Sequence, residues 1–294
     1  MQRKMQIYRV YAIDCIIFIL KKCIISILPM KKTLVLAHQN IYRLKLNPFI
    51  MTFLSRRFTL IIVLFTCVLC KAQDNMLSKQ EIKDGWKLIW DGKTTNGWKG
   101  AFIDKFPEKG WKIENGELIV SKTDGGESTN GGDIITTEYY DNFELTVDAK
   151  LSVGANSGVK YFVDPTYLVP KGSAKGLEYQ LLDDEKHPDA KNGRDGNRTI
   201  GSLYDLITAD RNKRPSAIGE WNKVRIISNK NKIEHWLNGM KVVEYERGSQ
   251  AFKDLVAISK YKDIPDFGLK PKGPILLQDH GDEVHFKNIK LRKL

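Results

Sequence analysis

The chain has 294 residues, with 47 Lys/Arg against 35 Asp/Glu and a formal net charge of +12. The excess is local: residues 1–73 hold 12 Lys/Arg and one acid, Asp14, while 74–294 hold 35 basic and 34 acidic residues. A nearly neutral body has no electrostatic footprint for nucleic acid, and all four cysteines (Cys15, Cys23, Cys67, Cys70) lie in the leader, so the body has no disulfide, thiolate nucleophile or Cys-ligated zinc.

In chain order, the first signal is export. Arg56 and Arg57 precede the apolar run FTLIIVLFTCVL at 58–69, and the small residue Ala72 follows. A charged head, an apolar stretch of secretory length and a small residue predict a signal peptide over 51–72, starting at Met51. Residues 1–50 then read as an upstream extension from a non-native start. Val10–Leu28 is also apolar, but Asp14, Lys21 and Lys22 interrupt it. Neither run reaches the roughly 20 residues of a spanning helix. The expectation is one exported domain, 73–294, periplasmic or extracellular, with no membrane insertion after processing. Lipid attachment at Cys67 or Cys70 is disfavoured by the preceding Thr66 and Leu69, which are not small.

Turn-rich stretches punctuate the body at 91–97, 114–117, 123–133 and 191–197. Alternating runs lie between them. In FELTVDAKL (143–151), Phe143, Leu145, Val147, Ala149 and Leu151 fall on one face and the polar residues on the other. KVRIISN (223–229) and KIEHWLNGMKVVEYE (232–246) predict a strand followed by a hairpin. Asn238-Gly239 supplies the two positive-φ residues of a type I′ turn. Only SQAFKDLVAISKY (249–261) predicts a helix, a short one in a crossover. Many short strands with regular turns predict an all-β sandwich, with a jelly-roll of two antiparallel sheets as the expected architecture.

Two segments carry candidate chemistry. GLEYQLLDD (176–184) places Glu178 and Gln180 on one strand face, with Leu177, Tyr179 and Leu181 on the other. GPILLQDHGDEVHF (273–286) places Gln278 and His280 two residues apart at the end of an apolar run. A titratable group beside a carboxamide on each strand suggests a polar surface for a polyhydroxylated ligand, a saccharide. By the same alternation His285 lies opposite Val284 and Phe286 and should face solvent. His187, in DDEKHPD, is expected in a solvated loop. His235 and Trp236 lie on opposite faces, so only one can face a cleft. The tryptophans at 86, 90, 98 and 111 read as packing residues.

With these pieces in view, the chain resembles the 3-keto-disaccharide hydrolase family. The resemblance runs through GWKLIWDGKTTNGWKG (85–100), ANSGVKYF (155–162), LEYQLLDD (177–184), GSLYDL (201–206), GEWNKVRI (219–226), IEHWLNG (233–239) and ILLQDHGDEVHFKNIKL (275–291). It implies a concanavalin-like jelly-roll, export and a role in saccharide breakdown. One departure is VKYFVDP after NSG, where the family pattern implies an arginine near Phe162.

A retaining glycosidase needs two carboxylates about 5 Å apart. The strand here reads Glu178, Gln180, Leu182, and lacks the second. Direct hydrolysis would need Asp148 or Glu144 to supply it from another strand. The 3-keto substrate implied by the resemblance changes the requirement. Its ketone acidifies the C2 hydrogen, so a base can remove it and the enolate can expel the group at C1. His280, His235 and Glu178 are the acid/base candidates. Gln180, Gln278, Tyr204 and Asn156 are candidate substrate contacts, with Asn156 alternatively fixing a turn. No compact metal motif is present and the residues name no cofactor, although Glu178 and His280 could hold a divalent cation that polarises the ketone. The resemblance also implies an upstream sugar 3-dehydrogenase that makes the substrate. The rival readings are a non-catalytic carbohydrate-binding module and a conventional glycoside hydrolase with an atypical carboxylate pair.

Overall fold

The computed structural model describes residues 73–123, 126, 128, 130–164 and 174–294. The expected leader, 1–72, lies outside the described residues. At the start, α1 (Lys79–Lys83) is set by a capping box: Ser78 Oγ accepts from the Glu81 N–H while the Glu81 carboxylate accepts from the Ser78 N–H. Then follow β1 (Lys87–Leu88), β2 (Trp98–Gly100), β3 (Trp111–Glu114), β4 (Glu117–Val120), β5 (Ile134–Thr136), β6 (Phe143–Leu151), β7 (Asn156–Asp164) and β8 (Lys175–Leu182). After a long connection come β9 (Trp221–Asn229), β10 (Lys232–Leu237), β11 (Met240–Glu246), α2 (Gln250–Ala257), β12 (Leu276–Leu277) and β13 (Val284–Lys293).

The strands form two antiparallel sheets, as expected. One runs β11-β10-β9-β6-β13-β4-β3, with β1 also on β13; the other runs β2-β5-β12-β7-β8. β4 and β1 share one edge of β13, at 284–286 and 290–291. The core lies between the sheets. Phe143, Leu145, Val147 and Ala149 of β6 face Val159 and Tyr161 of β7 and Leu177, Tyr179 and Leu181 of β8, all fully buried. Each large side chain so buried contributes roughly 1.5–3 kcal/mol.

The Asn238-Gly239 hairpin is present, with φ of 50° and 85°, and Asn238 adds bonds from its amide to Arg214 O and Asn222 Oδ1. The expected helix over 249–261 is shorter. Ser249 caps α2 through the Phe252 N–H, but α2 ends at Ala257. Ser259 Oγ then donates to Val256 O and accepts from the Tyr261 N–H, which turns the chain out of the helix.

The expected strand through Gln278 and His280 also differs. β12 stops at Leu277, and only the Gln278 N–H, donating to Gly158 O, extends the pairing. Asp279 ends it. Its buried carboxylate accepts from the N–H groups of Gly131, Gly132 and Gly281, and Gly281 has φ of 83°. His280 therefore sits in a turn, placed by loop contacts and not by strand alternation.

Candidate active site

The outer face of the five-stranded sheet carries the site. The β7–β8 register pairs Lys160 with Glu178, Gly158 with Gln180 and Asn156 with Leu182. Paired residues point the same way, so Asn156, Lys160, Glu178 and Gln180 share this face, and Gln278 joins them beside Gly158. All five are at most 5 % exposed. Gly158 is required here. A Cβ at that position would stand 2.4 Å from Glu178 Oε1, so the missing side chain is the space the carboxylate fills.

Two carboxylates share one ammonium. Lys160 Nζ lies 3.9 Å from Glu178 Oε2 and 3.8 Å from Asp133 Oδ2, and donates to Ala174 O at 3.3 Å. Asp133 is structural. Oδ1 accepts from the Asp279 N–H and Oδ2 from the Ala174 N–H. Turned with its amino group toward Glu178, Gln180 donates to Glu178 Oε1 and to Ser157 O, both at 3.2 Å. Glu178 is thus held by one cation and one amide, in a place where an uncompensated charge would cost several kcal/mol.

The described histidines separate sharply. His285 faces outward on the eight-stranded sheet, as expected, bridging Glu117 and Glu283. His235, a candidate acid/base group, faces the core. It is wholly buried, donates from Nδ1 to Gly201 O and accepts at Nε2 from the Tyr161 hydroxyl. Burial pushes its imidazole down to about 4, only partly offset by the Gly201 carbonyl. It lies against Tyr179, on the opposite face of β8 from Glu178. His235 is therefore a neutral core residue, and no ligand can reach it. Trp236 faces outward on the eight-stranded sheet, its ring beside Arg225.

His280 is half-buried, and among the described residues no hydrogen bond ties either ring nitrogen. Its neighbour is His187, whose ring stands perpendicular to it with centroids 6.0 Å apart. His187 is not the solvated loop residue expected. It is half-buried where the chain enters a 3-10 turn, Pro188–Lys191, and its Nδ1 accepts from the Asp189 N–H at 3.1 Å. Asp282 completes the group, with Oδ2 accepting from the Asn156 N–H.

The ligand atoms of His187, His280 and Asp282 come within 4.8 Å of one another, the one such group among the described residues. Glu178 is not in this group; its carboxylate lies instead beside the Lys160 ammonium. The group itself does not fit a metal well. A ligating imidazole donates its other N–H to an acceptor, whereas the other nitrogen of His187 faces an N–H donor. That bond leaves the His187 proton on Nε2.

Tyr204 borders the site, with its N–H on Glu178 O. Its hydroxyl donates to Asp189 Oδ2 at 2.7 Å. Burial, with Glu178 and Asp189 nearby, raises its pKa far above the usual tyrosine value, so the phenol keeps its proton and directs it to Asp189. Arg198 and Lys260 lie over its ring. The carboxylates offered as a glycosidase partner are also excluded. Glu144 and Asp148 face outward on the other sheet, tied to Arg225 with Arg292 and to Asn288. A cleft of about 770 Å³ opens on that same face. Its lining includes no histidine, and its carboxylates include Asp148 and Glu81, held by Asn288 and Lys290.

Of the residues singled out in the sequence, Glu178, Gln180, Gln278 and Asn156 come together on one face, where Lys160 and Asp133 join them, while His280 stands beside His187 and Asp282, none of which the sequence reading had placed there. A signal existed for Lys160, since period two from Asn156 places it on the same strand face.

Residues 85–292 match the family model for 3-keto-alpha-glucoside-1,2-lyase-like domains. A 3-keto-disaccharide hydrolase of Bacteroides thetaiotaomicron is 38% identical, over 72% of this chain and 79% of its own. Among solved structures, a Parabacteroides distasonis protein assigned as a glycosyl hydrolase superposes with a TM-score of 0.66 at 33% identity, covering 76% of this chain and 100% of that one. A second from the same organism, assigned likewise, has a TM-score of 0.50 at 28% identity, covering 71% and 99%.

Proposed function

The chain belongs to the 3-keto-alpha-glucoside-1,2-lyase-like family, and from that premise we propose that it is an exported enzyme that cleaves 3-keto-glycosides by elimination followed by hydration. The observation that carries this reading is the mismatch between the two kinds of group at the site. Among the described residues Glu178 has no second available carboxylate beside it, which a retaining glycosidase needs. A half-buried imidazole, His280, without a hydrogen-bond partner among the described residues, stands there instead, which proton abstraction next to a ketone needs.

His280 takes the proton from C2. The C2–H electron pair becomes the C2=C3 bond of an enolate, with the charge on the C3 oxygen. As the ketone re-forms, the C1–O bond breaks and its electron pair leaves with the aglycone oxygen, which is then protonated. Water adds to C1 and a proton returns to C2, so the net result is hydrolysis. Glu178, Gln278 and Asn156 bind sugar hydroxyls along the sheet face, and the wholly buried Gln180 holds the Glu178 carboxylate through its amide. The Lys160 ammonium holds Glu178 in place to accept from them. The signal-peptide pattern over 51–72 supports export, and a substrate oxidised at C3 calls for a sugar 3-dehydrogenase upstream.

The test is a disaccharide and its 3-keto derivative, each incubated with the protein in deuterated water and followed by mass spectrometry. Cleavage of the keto form alone, with one deuterium at C2 of the released sugar, is expected. Cleavage of the unoxidised disaccharide, or release without deuterium, would show direct hydrolysis. Saturable binding with no turnover of either sugar would make the chain a carbohydrate-binding module.

A further inference from the structure

His187 has a chemical role open to it that its position fixes closely. The Asp189 N–H holds Nδ1 as an acceptor, so the ring, when neutral, carries its proton on Nε2. Burial first, and then the neighbouring His280, lowers the pKa of His187, against the opposing pull of Asp282, Asp189 and Asp183. The ring is therefore a neutral N–H donor in the working range, locked in one tautomer by backbone. Perpendicular to it stands the imidazole whose two nitrogens are uncommitted.

Resting on the 3-keto reading above, we propose that His187 is the electrophile of this site: its Nε2–H donates a hydrogen bond to the C3 ketone oxygen and stabilises the charge that gathers there as His280 removes the C2 proton. The two reacting positions are on adjacent carbons, and the two rings are adjacent. In this step the C2–H bond breaks, the proton goes to His280, and the π pair of the ketone moves onto oxygen. No proton leaves His187. A neutral imidazole suits this task, because it stabilises an enolate without handing over a proton. It also accounts for a histidine in this place where a metal ligand would need the opposite tautomer.

A general acid must lose its proton, whereas an electrophile need only hold one, so a carboxamide can substitute for it. The experiment compares H187F and H187Q for kcat and KM on the 3-keto disaccharide, and for the rate of deuterium uptake at C2. Removing one such donor is expected to lower kcat about 10²–10³-fold in H187F, with KM little changed and C2 exchange falling in parallel. H187Q should recover roughly tenfold or more of that loss, with the shape of the pH–rate profile unchanged. Wild-type kcat in H187F, an effect on KM alone, or H187Q no better than H187F would overturn the proposal. If H187F does not fold, H187A with added imidazole replaces it; rescue of kcat supports the electrophile and absence of rescue overturns it. A wild-type protein that leaves the keto sugar intact sinks the 3-keto reading itself. One that cleaves it while H187F keeps pace sinks only the role of His187.

Discussion

The two outer faces of this sandwich carry the same residue types in opposite circumstances. On the eight-stranded sheet, Glu144 meets Arg225 and Arg292, Lys150 meets Glu117, and His285 bridges two glutamates, with most of these side chains partly open to water. On the five-stranded sheet, Lys160 and Glu178 are 3% and 5% exposed, and the carboxamides around them are equally enclosed. Ion pairs in water are worth about 0–1 kcal/mol, so the eight-stranded sheet keeps most of its polar residues at little cost, its enclosed Glu144 being paired with two arginines. Enclosed charges cost stability unless fully partnered. Polarity alone therefore marks neither face; what sets the five-stranded face apart is a whole cluster of enclosed polar residues, Asn156, Lys160, Glu178, Gln180 and Gln278.

The comparison can be broken first at its two histidines. H280A should lower kcat by about 10²–10⁴, the range lost with a general base, while H285A, on the other face, should leave it within twofold of wild type. Steady-state turnover of the 3-keto disaccharide reads both, and equal effects would erase the distinction between the faces.

The lysine and arginine give the second contrast. K160M strands Glu178 and Asp133 without their shared cation and should cost about 3–5 kcal/mol. R225M leaves Glu144 with Arg292 and should cost about 1 kcal/mol or less. Urea unfolding midpoints at constant m-value measure both.

Between the faces lies His235, and its effect is smaller and pH-dependent. The folded state holds it neutral, with its pKa at about 4 against 6.5 in the open chain. The unfolded state therefore binds the proton more readily between those values. The sign follows: the contribution of this group is intact above pH 6.5 and falls as the pH drops toward 4, by about 3 kcal/mol in all. Comparing wild type with H235Q across that window isolates this component from the carboxylates. An identical loss in both proteins would assign the acid sensitivity elsewhere.

Much of this molecule is written in local rules. Strand alternation, set by the backbone alone, put Phe143 through Leu151 in the core and placed Glu178 with Gln180 opposite Tyr179. The Asn-Gly turn and the two-sheet class followed from φ preferences and strand spacing in the same way. The ordered motifs pointed to the family, which the comparisons bear out.

Other features depended on contacts between distant segments, which no local pattern encodes. Alternation separated His235 from Trp236, but which of them faced inward was decided by the packing of β10 against Tyr161 and Gly201. His280 was set by Asp279 gathering the N–H groups of Gly131, Gly132 and Gly281, across nearly 150 residues of sequence. His187 came to it from a loop that looked solvated, and its tautomer was chosen by a backbone N–H two residues on. The sequence by itself determined the layers, the pleat and the family, because those rest on short-range sterics and residue type. The tertiary structure alone decided which histidine is free, which is buried and which charge is enclosed, because accessibility and dielectric exist only once the sheets have packed.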